Sequence, residues 1–287
     1  MATVVIGYDN STGGQAALQW AAAEAQRLHA RLRIVQVFEL IIATRPSPGK
    51  IVPLAGLRTA RERGLHALAD GIRAQHPDLV VQTVLVDGSP AEVLLGESAQ
   101  ATMIVLGSRG LGGWSGLLVG SVAVQVSTHA QCPVVVVRPA QFPRPHERPA
   151  VVVGVDGSKT SAKAIDFAFD QAEARGAELV AVHAWTRPSP TDDGGEPRRD
   201  LNEQDALESG RLLVAESIAG ALADHPDVQC DTRLVVGHPA HALVLAGESA
   251  ELVVVGSRGR GGFTGLLLGS TSQNVLHHAP CPVAIVR

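Results

Sequence analysis

At 287 residues, 45% of them apolar and 18% charged, the chain has the length of two domains of about 140 residues and enough apolar material for two cores, which excludes a disordered polypeptide. A formal charge of −4 and 3% aromatic residues exclude a general nucleic-acid binder, which needs a basic surface and stacking platforms. Three cysteines are too few for a disulfide framework. No apolar run reaches membrane-spanning length and MATVVIGYDN lacks a signal-peptide layout, so a cytoplasmic protein without a membrane span is expected.

In chain order, short Val- and Ile-rich runs alternate with amphipathic helical stretches. TVVIGYD is the first strand, and GGQAALQWAAAEAQRLHA the first helix, with Ser11 or Thr12 as its cap. LRIVQVF follows as a strand, then LRTARERGLHALADGIRAQ as a helix. VVQTVLV is less continuously apolar than the other runs, as a strand nearer a sheet edge is. PAEVLLGESA opens a helix with Pro at its first turn, where the missing N–H costs nothing. MIVLG, the helix GSVAVQVSTHA and the strand PVVVVR complete the unit. The second half repeats the series with AVVVGVD, ELVAVHAW, VQCDTRLVV, LVVVG and PVAIVR as strands. Continuous apolar runs suit strands covered on both faces. Right-handed crossovers then give two tandem, doubly wound α/β domains, each a parallel five-stranded sheet of order 3-2-1-4-5.

The repetition is close. Residues 103–138 and 252–287 are identical at 20 of 36 positions, aligned without gaps at an offset of 149. TVVIGYDNS likewise matches AVVVGVDGS, and GSPAEVLL mirrors GHPAHALV. The expected division is a domain at 1–140, a Pro-rich linker at 141–149 and a domain at 150–287. Half one carries a net +2 and half two a net −6.

In such a sheet a ligand lies beyond the carboxyl ends of strands 1 and 4. Strand 1 ends in Asp9, and in Asp156 in the second copy. Strand 4 ends in Gly107-Ser108-Arg109-Gly110 and leads through a Gly-rich loop to Gly120-Ser121; the second copy has Gly256-Ser257-Arg258-Gly259 and Gly269-Ser270. Both follow G-x2-G-x9-G-S. Glycines let the backbone approach a ligand, and free N–H groups at a helix start favour phosphate. Ser121 and Ser270 add hydroxyls, and Arg109 and Arg258 add charge at the rim. Asp9 and Asp156 suit ribose hydroxyls or Mg²⁺, and the residues do not choose between them. No G-x4-G-K-[ST] loop occurs, and G-x-G-x-x-G is absent after strand 1.

These features resemble a tandem universal stress protein of the two-domain mycobacterial and actinobacterial kind. The resemblance covers both halves and rests on the strand-1 Asp, the duplicated G-x2-G-x9-G-S motif and the closing C-P-V strands. It implies the adenine nucleotide alpha hydrolase-like fold and the ATP-binding branch of that family. One ATP site would then be lined by Asp9, Val37, Gly107, Arg109, Gly110, Gly120, Ser121 and Val122. The other would be lined by Asp156, Ala184, Gly256, Arg258, Gly259, Gly269, Ser270 and Thr271, with Val37 and Ala184 reading adenine through the backbone. ATP with Mg²⁺ is the implied cofactor, a homodimer the implied assembly, and an unknown regulatory protein the implied partner. The halves also differ, with Asn10 against Gly157, Val122-Ala123 against Thr271-Ser272, and an acidic stretch over 192–208 in the second copy alone. Unequal affinities are therefore expected.

The leading expectation is a nucleotide-dependent regulator in a stress response. No Ser/His/Asp order and no placed general base marks an enzyme, so weak ATP hydrolysis at most is expected. A slow ATPase or autophosphorylating phosphotransferase, and a partner-binding protein with vestigial sites, are the alternatives. Cys132, Cys281, Trp20 and Trp185 are expected in cores, Arg58, Arg61 and Arg63 on a solvated face, and the scattered His as no metal site. Trp114 and Phe263 occupy equivalent loop positions. The last strands, 133–138 and 282–287, are apolar edges that invite pairing.

Overall fold

The computed structural model describes residues 1–39, 54–110, 118–139, 149–186, 203–260 and 268–287. The chain divides into two compact units, Met1–Pro139 and Ala140–Arg287. Most of the linker, most of the acidic stretch, Trp114 and Phe263 lie outside the described residues.

In unit one, β1 (Thr3–Gly7), α1 (Thr12–Arg27), β2 (Arg31–Phe38), α2 (Leu54–Gln75), β3 (Val81–Asp87), α3 (Pro90–Ser98), β4 (Met103–Gly107), α4 (Ser121–His129) and β5 (Val134–Val137) alternate along the chain. Every pairing is parallel and the strand order is β3-β2-β1-β4-β5. Unit two repeats it with β6 (Ala150–Gly154), α5 (Lys159–Arg175), β7 (Glu178–Trp185), α6 (Glu203–Asp224), β8 (Cys230–Val236), α7 (Pro239–Ala246), β9 (Leu252–Gly256), α8 (Ser270–His278) and β10 (Val283–Val286). Its order is β8-β7-β6-β9-β10, the doubly wound arrangement read from the sequence.

Burial explains the runs. Val4, Val5 and Ile6 of β1 and Met103–Leu106 of β4 are covered on both faces, so those strands carry no polar alternation. β3 is half-exposed along most of its length, in keeping with its place at the edge of the order in unit one. Leu18 of α1 is fully buried, and its truncation to Ala would cost about 2–5 kcal/mol. One expectation fails: Trp20, in the middle of α1, and Trp185, at the end of β7, are only partly buried. Arg61 and Arg63 are exposed, as a solvated face requires, and that face also makes contacts: Arg58 pairs with Asp87 at 2.6 Å and Glu62 at 3.2 Å, and the Arg61 guanidinium lies 5.6 Å from the Phe38 ring centre.

Candidate functional site at the strand carboxyl ends

In unit one the chain leaves β1 through Tyr8 and Asp9, then turns at Asn10, whose φ is 66°. That left-handed residue lets the Ser11 N–H donate to Asp9 Oδ1 at 3.0 Å. Ser11 caps α1 through its Oγ, which accepts from the Gly14 N–H at 2.9 Å. The same hydroxyl donates to the Arg109 carbonyl at 3.1 Å and so ties the β1 turn to the loop after β4. Of the two capping candidates, Ser11 takes the role, and Thr12 is the first helical residue.

The glycines divide by purpose. A Cβ on Gly110 would stand 2.5 Å from Asp9 Oδ2, so that glycine lets the loop fold against the carboxylate. A Cβ on Gly107 would stand 2.5 Å from the Gly13 carbonyl carbon, so it serves strand-to-helix packing. Gly120 is the N-cap of α4, and its N–H donates to the Ser108 carbonyl at 2.7 Å. A Cβ there would be in ordinary van der Waals contact, its nearest atom 3.7 Å away, so packing alone does not demand glycine at this position. No side chain caps α4, so its first-turn N–H groups, from Ser121 onward, face outward with the positive end of the helix dipole.

Unit two reproduces this frame. The Ser158 N–H donates to Asp156 Oδ1 at 2.9 Å, and Ser158 Oγ accepts from the Ser161 N–H at 3.1 Å. Ser158 and Thr160 hydroxyls both donate to the Arg258 carbonyl. A Cβ on Gly259 would stand 2.5 Å from Asp156 Oδ2, and Gly269 caps α8 with its N–H 2.8 Å from the Ser257 carbonyl. Two further bonds are formed here. The Arg260 N–H donates to Asp156 Oδ2 at 3.1 Å, and the Ser272 hydroxyl donates to the Gly256 carbonyl at 2.6 Å.

Six of the eight residues expected in the second site line one cleft of about 540 Å³, its open mouth included: Asp156, Ala184, Gly256, Arg258, Gly259 and Thr271. Gly269 and Ser270 lie beside it, with a Gly269 Cβ 3.6 Å from the Gly259 nitrogen. In unit one Gly110 lies against Asp9, Gly120 lies beside Arg109 and Gly110, Gly107 faces Gly13 and Gly14, Ser121 and Val122 begin α4, and Val37 lies next to the carboxyl end of β2. Sequence reading missed Val182, Pro239 and Leu243, which give the second cleft its apolar end. The repeated G-x-P-A stretch, GSPA and GHPA, was their signal, since it starts α3 and α7 at this face. It also missed Ser11 and Ser158 as ties between the two loops, although Ser11 is legible as a cap.

Charge at the cleft is mostly cationic beyond the aspartate. Arg258 is exposed, and the Arg287 guanidinium is held below its ordinary range by burial and by the charge of Arg258. Burial pushes the thiols of Cys132 and Cys230 up to about 11, so both stay protonated near neutrality, which disfavours a redox role. Among the described residues no group of three or more His, Cys, Asp or Glu could hold a metal ion.

The geometry defines a class first: a doubly wound α/β protein with a strand-end aspartate, a glycine-bearing loop and a helix start without a side-chain cap at the switch point of each of two repeated units. The chain belongs to the universal stress protein family, whose model matches residues 1–138 and again 148–287. A universal stress protein of Mycolicibacterium smegmatis is 36% identical over 99% of this chain and 96% of its own length. The crystal structure of a universal stress protein from Archaeoglobus fulgidus matches 99% of this chain and 97% of its own with a TM-score of 0.72 at 21% identity, a likeness of fold. A universal stress protein solved in complex with cAMP is 32% identical, covering 49% of this chain and 97% of its own, with a TM-score of 0.36. No helix among the described residues is long and apolar enough to cross a membrane.

Proposed function

We propose that each unit binds ATP and that the protein is a cytoplasmic, nucleotide-dependent regulator in a stress response. The observation that carries this reading is the duplicated frame, in which a strand-end aspartate, a glycine folded against it and an uncapped helix start converge at the same place in both units. Sheet order assigns the parts. β9, β6 and β7 lie side by side, about 4.8 Å apart. The 5′-phosphates lie at the β9 end, against Gly259 and the mouth of α8. The ribose lies over Asp156 at the end of β6, and the base over Val182 and Ala184 at the end of β7. By the repeat, Asp9, Gly110, Gly120, Ser121, Val122 and the Val37 backbone serve the first unit.

Mg²⁺ fits this arrangement as a companion of the polyphosphate. A single carboxylate per site suits a cation held mainly by phosphate oxygens and water. The domains at 1–140 and 150–287 act as two binding units joined by 141–149, and whole chains pair as homodimers that present the nucleotide state to a partner protein. The test is mass spectrometry of the nucleotide that co-purifies, with its stoichiometry. Two adenine nucleotides per chain are expected, and failure to retain or bind any adenine nucleotide would sink the reading.

A further inference from the structure

Asp156 does two things at once. Its Oδ1 holds the turn into α5, and its Oδ2 accepts the Arg260 N–H. The second bond pins Arg260 beside the carboxylate that the proposed function assigns to the ribose. The Arg260 side chain then runs across Gly157, whose φ is +72°. A Cβ at 157 would collide with Nη2 and lie 2.9 Å from Cζ, so this glycine serves the guanidinium as well as the turn.

The guanidinium is almost idle. It makes one long hydrogen bond, 3.5 Å from Nη2 to the Gly157 carbonyl, and no carboxylate pairs with it among the described residues. A guanidinium offers five N–H donors, so most of this one remains available, exposed over the turn that follows Asp156. Unit one has neither part of the device. Its turn residue is Asn10, and the residue at the position of Arg260 is Leu111.

We propose that Arg260 makes the second site selective for adenine nucleotides that carry a phosphomonoester on the ribose 2′ or 3′ oxygen. The inference rests on the nucleotide-binding reading above. A carboxylate beside the ribose accepts from free hydroxyls, but it repels a phosphate placed there unless a cation compensates. Arg260 supplies that cation with the planar fork that phosphate oxygens accept. Nucleotide enzymes of another lineage separate phosphorylated from free ribose by the same exchange of acid and arginine. At the first site the residue equivalent to Arg260 is the uncharged Leu111, so the two halves of one chain read different ribose edges.

Adenosine 3′,5′-bisphosphate, its 2′,5′ counterpart and 5′-ADP are isomers and form the probe set. Calorimetry uses the full chain carrying Ser121→Asp, which puts a negative charge at the first helix mouth and leaves the second site to be read. One of the bisphosphates is expected to bind at least fivefold tighter than 5′-ADP. Arg260→Leu, the residue of the other half, is expected to bring that ratio to about one or below. Arg260→Lys keeps charge without the fork and retains part of the preference. Thermal melts confirm that the variants fold, which the retained main-chain N–H favours. A ratio near one in the parent, or an Arg260→Leu change that weakens 5′-ADP and the bisphosphate equally, overturns the inference and leaves the ATP reading standing. No binding of any of the three to the unsubstituted chain overturns both.

Discussion

The two units are one fold with two finishes, and the turn after the first strand shows the difference most sharply. Asn10 and Gly157 hold the same left-handed backbone, at φ 66° and 72°. In unit one the side chain at that position is free to be Asn. In unit two it has to be absent, because Arg260 occupies its space. The aspartate, the capping serine and the helix mouth are common to both. Duplication has kept the frame on which the proposed nucleotide reading rests and varied what surrounds it.

The packing under the two sites offers the largest break in the symmetry. A Cβ on Gly107 would sit 2.5 Å from the backbone of Gly13, whereas on Gly256 the nearest atom, in Thr160, is 2.9 Å away. Gly107→Ala should therefore cost about 2–3 kcal/mol, the upper part of the overpacking range, and Gly256→Ala about 1 kcal/mol less. Urea unfolding of the two variants checks the order, and equal costs would show that both junctions relax alike.

A charge at each helix mouth comes next. Ser121 and Ser270 are exposed first-turn residues of α4 and α8. An acid there favours the helix dipole, so Ser121→Asp and Ser270→Asp should fold normally while repelling bound phosphate. Each should weaken ATP at its own site at least tenfold, about 1.4 kcal/mol, and leave its counterpart within twofold. Titration of the single and double variants separates the sites, and identical constants in the two single variants would remove the expected inequality.

The sequence made much of this legible and some of it not. The strand order followed from buried apolar runs such as MIVLG and LVVVG, and the site from a motif that appears twice. What the chain hid is what depends on residues far apart. Gly107 reads as a ligand-contacting glycine, yet its missing Cβ faces Gly13. Arg260 reads as one more loop residue, and only the fold lays it over Gly157, 103 positions away. Leu243 and Val182 share a cleft because α7 crosses the end of β7, which no local pattern states.

The turn itself predicts a smaller effect. An Asn in the left-handed region is tolerated but carries a cost that Gly avoids, and Gly loses more chain entropy on folding. Asn10→Gly should thus move unit one by no more than about 0.5–1 kcal/mol, in the stabilising direction. Gly157→Asn meets Arg260 as well as the backbone cost, so it should destabilise by more than the reverse change stabilises. Thermal denaturation of both variants, and of Gly157→Asn combined with Arg260→Leu, tests whether the residue pair is coupled. Recovery of stability in the double variant is the expected outcome.

The smallest effect belongs to the outer face of the second crossover helix. Arg63, His66, Asp70 and Arg73 of α2 correspond by the 149-residue offset to Leu212, Ala215, Ala219 and Leu222 of α6. On α2 the face is held by polar bonds, Arg73 reaching Asp70 and the Val81 carbonyl at 2.7 Å each. On α6 Leu212 is 60% and Leu222 40% exposed, while Val214 and Ile218 face inward. Stability in α6 therefore comes from the inward stripe, and the outer leucines contribute little to it. Leu212→Arg, which restores the residue of the first copy, should change unfolding free energy by less than about 0.5 kcal/mol, whereas Val214→Ala should cost about 1–3 kcal/mol. A large loss from Leu212→Arg would mean that the outer face is covered in the native state, and that the two helices differ in what they touch as well as in what they display.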